Sequence, residues 1–364
     1  MKDLRTIMFI AAAAIAMAAC SRVQSELPEG NEIRFQVAGY RASGVTKAND
    51  DYKTGYDSVS FGAYAWYKGE NPADDDVFMT NQKVSYNSTN NVWFTEGCTY
   101  YWPKWGSLDF ICYSPYSTEG VPSVNENTIK YTSWDVAANP DTDLLYADKA
   151  VGQTENIYSY YYSGVPVLFR HALAKLSFSM RLAYDEMTPA TGDKTKWEVT
   201  VNSLSLKNIY TKGSLELTLD NENKWILPAN RAWATEGNAT DISFDSTTLD
   251  VFKTTEPQAL WENMFVLPQN LDQGQKLVMN ISIKTWRDTG NGYPVEPFIK
   301  EMSIEMAADL SSTNIHAWGM NHYIKYNLIL APSLSVDGIN PVDITFDPAA
   351  ADWETVEINS VIQI

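Results

Sequence analysis

Apolar and polar residues alternate in short runs along most of this chain, and this alternation restricts its fold more than any other feature. Examples are residues 33–37, 59–63, 281–283 and 323–328, with Gly, Pro, Asn and Asp between the runs. A period of two places every second side chain on one face of a β-strand, and turn residues end such strands. The pattern predicts an all-β fold and favours β-sandwiches over a parallel α/β architecture. A short helix over residues 297–310 is a local alternative, although that stretch also alternates.

The chain length of 364 residues predicts two domains. The boundary is expected near residues 159–166, where a tyrosine-rich connector with glycine and proline precedes the strongly apolar residues 167–180. The predicted N-terminal domain therefore covers residues 42–164, and the predicted C-terminal domain covers residues 165–364.

The chain is acidic. It contains 27 Lys and Arg against 45 Asp and Glu, which gives a formal net charge of −18 at pH 7. The phosphates of nucleic acids need a basic surface, and so does electrostatic docking on anionic lipid. We therefore expect no nucleic-acid partner, and we expect the dispersed acidic residues to form a solvated surface.

The first twenty residues have the pattern of an exported lipoprotein. Lys2 and Arg5 precede an apolar run over residues 7–19, and Cys20 follows at once. Such a run is shorter than the ~20 residues of a membrane span and fits a secretory signal. Two alanines before Cys20 resemble the lipobox that bacterial signal peptidase II cleaves. We predict a signal peptide over residues 1–19 and a lipid anchor on Cys20; the alternative is an ordinary signal peptide that ends beside a cysteine.

The sequence contains no pattern of an enzyme or a metal site. It lacks a nucleophile elbow, a Walker loop and a His-Glu-x-x-His helix. His171 lies in an apolar strand, where a hydrogen-bonded structural role is expected, and His316 and His322 lack the spacing of neighbouring ligands on a strand. The acidic residues 74–76 lack the alternate spacing of a calcium loop and predict a solvated turn. We expect no catalytic residue, no metal and no cofactor.

Two cysteines remain once Cys20 carries lipid. Folding the chain about Trp105 places Cys98 opposite Cys112 on one face of a hairpin, within disulfide range. Export permits oxidation of such a pair. We predict a disulfide between Cys98 and Cys112, with two buried free thiols as the alternative.

Aromatic residues are abundant, at 12 Trp, 21 Tyr and 13 Phe. The densest group comprises Trp93, Tyr100, Tyr101, Trp102 and Trp105. Exposed rings on one face would stack on sugars, so a surface glycan-binding lipoprotein of a nutrient-uptake complex is an alternative function. Alternating strands favour the other interpretation, in which these rings pack in a core.

Six short segments follow one another in a particular order. They are YWP at residues 101–103 with LDFICYSP at 108–115, DLLYA at 143–147, RHALAKL at 170–176, FVLPQ at 265–269, and ITFDP at 344–348 followed by Trp353. The series covers most of the chain after Cys20 and resembles the Bacteroidales fimbrillins, the lipoprotein-derived subunits of type V pili. The resemblance implies two tandem antiparallel β-sandwich domains of transthyretin-like type and export as a lipoprotein. It also implies a structural rather than enzymatic role and assembly with other pilin subunits by strand exchange.

The start of the chain is compatible with that assembly. Ile33, Phe35 and Val37 form the apolar face of an early strand, and Arg41 follows it beside glycines. We predict that a trypsin-like maturation protease cuts after Arg41, which would release residues 20–41 with the lipid and this displaced strand. Arg34 and Lys47 are competing cut sites.

The end of the chain supplies a second strand pattern. Val356, Ile358, Ile362 and Ile364 share one face of a strand that runs to the last residue. We predict that this donor strand fills the groove of a neighbouring subunit; the alternative is an ordinary strand paired within its own domain. The expected product is a homopolymeric fimbrium on the cell surface that supports adhesion, with tip and anchor subunits as further partners.

Overall fold

A computed structural model describes residues 31–39, 59–90, 92–119, 122–155, 164–188, 193–219, 232–244, 251–252, 256–271, 274–297, 299–310, 315–335 and 338–350. These residues form strands and one 3-10 turn at Pro72–Asp74. The strands are β1 Phe35–Gly39, β2 Phe61–Lys68, β3 Asp76–Asn87, β4 Val92–Thr95, β5 Ser107–Ser114, β6 Ser123–Asn125, β7 Thr128–Asp135, β8 Leu145–Ala147, β9 Ala150–Gln153, β10 Val165–His171, β11 Ala174–Leu182, β12 Glu186–Met187, β13 Lys194–Ile209, β14 Lys212–Thr218, β15 Ala234–Glu236, β16 Thr240–Phe244, β17 Val251–Phe252, β18 Gln258–Val266, β19 Gln269–Asn270, β20 Lys276–Asp288, β21 Ile299–Asp309, β22 Ala317–Trp318, β23 Tyr323–Ser335 and β24 Gly338–Ala350. The all-β prediction is confirmed. The helix considered over residues 297–310 was wrong, because its alternating residues form β21.

Seven strands of the N-terminal half close into a ring, which we call the N-terminal barrel. Its strand order is β2-β3-β4-β1-β10-β8-β5, and pairing of β2 with β5 closes the ring. The short strand β9 pairs with the start of β5, on the edge that β8 occupies at its end. Large aromatic side chains fill the interior, including Phe35, Phe61, Phe110 and Phe169. A closed ring of strands differs from the two-sheet sandwich that we expected for this half.

The C-terminal unit consists of two sheets around one core. One sheet has the order β18-β11-β23-β24, and the other has the order β12-β13-β20-β21 with β16 and β17 also paired to β13. Alternate residues of both sheets point into this core, such as Phe178 of β11, Val199 of β13 and Ile281 of β20. The period of two in the sequence fixes these inward positions.

A further, smaller sheet joins the two halves, and we call it the interface sheet. Its order is β15-β14-β7-β6, so it takes two strands from before β10 and two from after β13. A separate apolar core lies beneath it, where the rings of Tyr131 and Trp233 are 6.1 Å apart. The Trp233 indole Nε1 donates a hydrogen bond of 2.7 Å to the backbone oxygen of Ala172.

The domain boundary differs from the one predicted. β10 pairs with β1 and β8, and its residues Val165, Val167 and Phe169 belong to the core of the N-terminal barrel. The boundary at residue 164 was therefore placed too early, since the chain leaves the barrel only between β10 and β11. The expectation of purely antiparallel sheets also fails at two pairs, because β1 runs parallel to β10 and β11 runs parallel to β23.

Candidate assembly site at the first strand

The first strand fills the space between β4 and β10 in the barrel wall. β1 pairs with β10 in parallel from Phe35 opposite Val165 to Gly39 opposite Phe169. Among the residues that the structure describes, its ladder with β4 contains one pair, Phe35 opposite Trp93. The backbone bonds of β1 are therefore concentrated on the β10 side, and the β4 side is the weaker seam.

The residues just before β1 extend its attachment. The backbone N–H of Ile33 donates to the oxygen of Tyr100 at 2.8 Å, and that of Trp102 donates to the oxygen of Asn31 at 3.1 Å. On the other side, the N–H of Val165 donates to the oxygen of Arg34 at 2.7 Å. The loss of β1 would leave several of these groups unpaired, which is costly for a buried backbone.

The apolar face predicted for this strand points into the barrel. Ile33 and Phe35 are each 3% exposed, and Val37 is partly buried against the same core. The Phe35 ring meets the rings of Phe61 and Phe110 edge to face, at centroid distances of 5.6 and 5.8 Å. Burial of one such side chain contributes about 1.5–3 kcal/mol. Removal of β1 would therefore open an apolar groove as well as a row of backbone groups.

The opposite face of the strand is polar. Arg34 and Glu32 form an exposed ion pair at 3.6 Å, which contributes little to stability. A cleft of about 220 Å³ opens beside them and is also lined by Val92, Phe94 and Thr99. This cleft gives solvent access to the weaker seam between β1 and β4.

Gly164 is a residue of this site that the sequence did not identify. A Cβ atom at this position would lie 2.5 Å from the backbone oxygen of Arg34. Only glycine lets the start of β10 approach the backbone of β1 so closely. We had interpreted this glycine as part of a connector, because a close approach between distant segments leaves no local pattern in the sequence.

The other predicted assembly residues lie outside the described part of the chain. They are Cys20, Arg41, Val356, Ile358, Ile362 and Ile364. Lipid attachment, cleavage and the donor strand therefore stay predictions.

The predicted disulfide between Cys98 and Cys112 is not formed. Cys112 is a free, buried thiol in β5, where it lies opposite Ala63 of β2. The hairpin about Trp105 that placed the cysteines together is absent, because β5 pairs with β2 on one edge and with β8 and β9 on the other. Burial raises the pKa of the Cys112 thiol, so this side chain is an unreactive core residue.

The remaining sequence candidates have structural roles. His171 is buried, and its Nδ1 lies 2.7 Å from Asp143 Oδ2, which confirms the expected hydrogen-bonded role. Asp75 forms an ion pair with Lys68 at 2.8 Å. Within the described residues, no three or more His, Cys, Asp or Glu side chains are grouped so as to bind a metal. No helix in this part of the chain has the length and apolar character of a membrane span.

The densest aromatic group does not form a platform. Trp93 and Trp102 are buried, and Tyr100 and Tyr101 are partly buried. Trp105 alone of the five is well exposed, at 76%. Core packing therefore accounts for most of these rings, as the alternating pattern indicated.

The fold and this site define an all-β protein whose first strand completes a barrel through main-chain pairing. The chain belongs to the fimbrillin-like family, whose model matches residues 46–353. A fimbrial protein from Bacteroides vulgatus has a TM-score of 0.53 at 16% identity, with 88% of this chain and 99% of that chain covered. A candidate cell adhesion protein from Bacteroides uniformis has a TM-score of 0.50 at 18% identity, with 90% and 100% covered. At these identities the likeness shows a shared fold. Among curated proteins, none matches the chain.

Proposed function

We propose that this protein is a structural pilin subunit of a surface fimbrium, that it supports adhesion, and that it assembles by protease-triggered donor-strand exchange. The fimbrillin-like family and the fimbrial and cell-adhesion proteins of the same fold support the pilin role. The observation that carries the assembly mechanism is the position of β1, which closes the barrel with a short strand held mainly on one side.

In this proposal the subunit is exported as a lipoprotein and tethered to the outer membrane through Cys20. A trypsin-like protease cuts after Arg41 and releases the lipidated segment together with β1. The barrel then has an open groove between β4 and β10, lined by the side chains that Ile33 and Phe35 had covered. Exposed apolar surface and unpaired strand edges favour the addition of another strand.

The donor is the C-terminal strand of a neighbouring subunit. Val356, Ile358, Ile362 and Ile364 supply apolar side chains at alternate positions, as Ile33, Phe35 and Val37 do in the displaced strand. In this proposal the donor comes from the end of the chain and the groove belongs to the barrel, so the contact joins two different segments and propagates as a filament.

A glycan-binding lipoprotein has less support than the pilin. A sugar platform needs several exposed rings on one face, and the densest aromatic group presents Trp105 alone in that way. The pilin role is therefore the one function that we propose.

The test of this function is the deletion of residues 359–364 from the full chain. Wild-type protein treated with a trypsin-like protease should give a ladder of polymers on a gel and filaments by electron microscopy. The truncated protein should stay a folded monomer, while Arg41→Ala should remain an uncut, lipidated precursor.

The matched control is the pair Asn359→Ala and Gln363→Ala, which keeps the apolar face of the donor strand and should still polymerise. Normal filaments from the truncated protein would contradict strand exchange. If the Arg41→Ala variant is cleaved at the normal rate, Arg41 is not the cleavage site, and Arg34 or Lys47 takes that role.

A further inference from the structure

Lys149 holds its amine in an unusual position in the turn between β8 and β9. Its Nζ atom lies 3.1 Å from Asp109 Oδ2, and the side chains of Lys149 and Asp109 are each 7% exposed. The same Nζ donates a 2.9 Å hydrogen bond to Oδ1 of Asn127, an exposed residue in the turn between β6 and β7. By contrast, the pair of Lys130 and Glu216 lies at the surface, with side chains 47% and 56% exposed.

The carboxylate beside this amine is held in place. The other oxygen of Asp109, Oδ1, accepts the backbone N–H of Gly152 at 2.7 Å. The neighbouring acid, Asp148, is occupied by two hydrogen bonds from Arg170 at 2.6 and 2.7 Å. Asp109 is therefore the carboxylate positioned to exchange a proton with Lys149.

An amine that lies between a side-chain amide and a buried carboxylate has the parts needed for amide exchange. The neutral amine is the nucleophilic form of lysine, and a carboxylate 3.1 Å away can accept the proton that the amine must lose. From this arrangement we propose that Lys149 and Asn127 form an intramolecular isopeptide bond, with Asp109 as the proton acceptor and donor.

The reaction needs no oxidant and no external reagent. The Lys149 ammonium transfers a proton to Asp109, and its Nζ then forms a bond to Cγ of Asn127. The bond between Cγ and Nδ2 of Asn127 breaks, and the departing nitrogen takes up the protons released by Nζ, one of them through Asp109. The products are one amide bond and one ammonium ion, so the neutral chain loses the mass of ammonia.

The bond would connect two parts of the molecule that are otherwise held without covalent contact. Asn127 belongs to the turn of the interface sheet, whereas Lys149 and Asp109 belong to the N-terminal barrel. The link would thus fasten the barrel to the sheet that joins it to the C-terminal unit. The proposal is independent of strand exchange, since none of the three residues belongs to β1 or to its groove.

Intact-mass spectrometry of the purified full chain tests the proposal directly. Once removal of residues 1–19 and the lipid on Cys20 are taken into account, the wild-type mass should be lower than the mass of the chain by about 17 Da, the mass of ammonia lost in amide exchange. A tryptic digest should contain one branched peptide that joins Lys149 to Asn127. Lys149→Arg and Asn127→Ala should restore the full mass, and Lys130→Arg, the surface control, should keep the deficit.

The other results would overturn the proposal. A wild-type chain of full mass would show that the contact is an ordinary ion pair. A deficit of about 18 Da, with Lys149 joined to Asp109, would show that Lys149 bonds to Asp109 with loss of water and not to Asn127. A deficit of about 17 Da without the branched peptide would indicate a succinimide at an asparagine instead. If Asp109→Asn is folded by circular dichroism and keeps the same mass deficit, Asp109 is not the proton acceptor and donor of the reaction.

Discussion

The first strand of the N-terminal barrel and the first strand of the C-terminal unit have similar positions but are held very differently. Each runs parallel to a strand from the end of its own half, β1 to β10 and β11 to β23. β1 has five residues and one paired position on its second side, whereas β11 has nine residues and six paired positions on its second side. β1 is therefore paired mainly along one edge, whereas β11 is paired along both.

The side chains reinforce that difference. β11 contributes Leu176, Phe178, Met180 and Leu182 to its core, all of them at most 1% exposed. The β1 region contributes Ile33 and Phe35, and a solvent cleft reaches its weaker seam. β1 and β11 thus have the same kind of parallel partner but differ in how far their second edge is paired. In our proposal this difference is what allows β1 to be exchanged while β11 stays in place.

The largest expected effect is that of Phe178→Ala, which removes a ring stacked on Tyr326 at 5.2 Å. We expect a loss of about 3–5 kcal/mol in the free energy of unfolding, because a cavity forms in a core that cannot collapse. Urea unfolding followed by tryptophan fluorescence measures this loss. Val295→Ala, at a side chain 95% exposed, is the control and should change little. An effect of Phe178→Ala as small as that of the control would contradict the enclosed position of β11.

Phe35→Ala should act on the attachment of β1 alone. In a chain nicked after Arg41, the peptide that carries β1 should dissociate about a hundredfold faster, since about 3 kcal/mol of packing is lost. Size-exclusion chromatography of the nicked protein at timed intervals gives the rate. Arg34→Ala changes an exposed side chain and should leave the rate nearly unaltered. Equal rates for Phe35→Ala and Arg34→Ala would show that side-chain packing does not hold β1.

Gly164→Ala should weaken the same attachment from the barrel side. The added methyl group would lie 2.5 Å from the Arg34 oxygen, and the strain should cost about 1–3 kcal/mol. Hydrogen exchange should then show faster exchange at Val165, whose N–H bonds to that oxygen, with unchanged protection in β11. If β11 loses protection equally, the two strands are not independent.

Alkaline pH should show whether the two halves unfold together. Burial raises the pKa of Tyr113 in the barrel to about 12, and burial also raises the pKa of Tyr326 in the C-terminal unit. A raised pKa in the folded state means that the contribution is complete below the unfolded value of about 10 and is lost as pH rises through the folded value. At about pH 11, each tyrosine should reduce stability by about 1 kcal/mol.

The measurement is phenolate absorbance during alkaline titration of Tyr113→Phe and Tyr326→Phe. Both variants should move one shared transition to higher pH, because the interface sheet couples the halves. Two separate transitions, each moved by one variant, would show that the barrel and the C-terminal unit unfold independently.

The sequence predicted the strands well because a period of two is a local property. It also placed Ile33, Phe35 and Val37 on an inward face, since alternation alone determines which side chains share a face. The ring of the barrel and the pairing of β1 with β10 could not be predicted, because these contacts join segments far apart in the chain. The same limitation produced the early boundary at residue 164 and the cysteine pairing that the structure does not contain.

Residues of the site whose role depends on distant contacts were also missed. Gly164 matters because Arg34 passes close to it, and Lys149 matters because a turn of another sheet brings Asn127 to its amine. Neither neighbour is close in the chain. Residue type at these positions therefore gave no signal that separated them from ordinary turn residues.

The interface sheet also affects the mechanics of the molecule. β7 and β14 pair from Lys212 opposite Asp135 to Thr218 opposite Thr128, directly above the apolar core that contains Trp233. Because this ladder and its core join the two halves, the halves cannot move apart unless the ladder breaks and the core becomes exposed to water. In a filament of such subunits, tension would pass from one half of each subunit to the other through this ladder, and bending would be easier where one subunit meets the next.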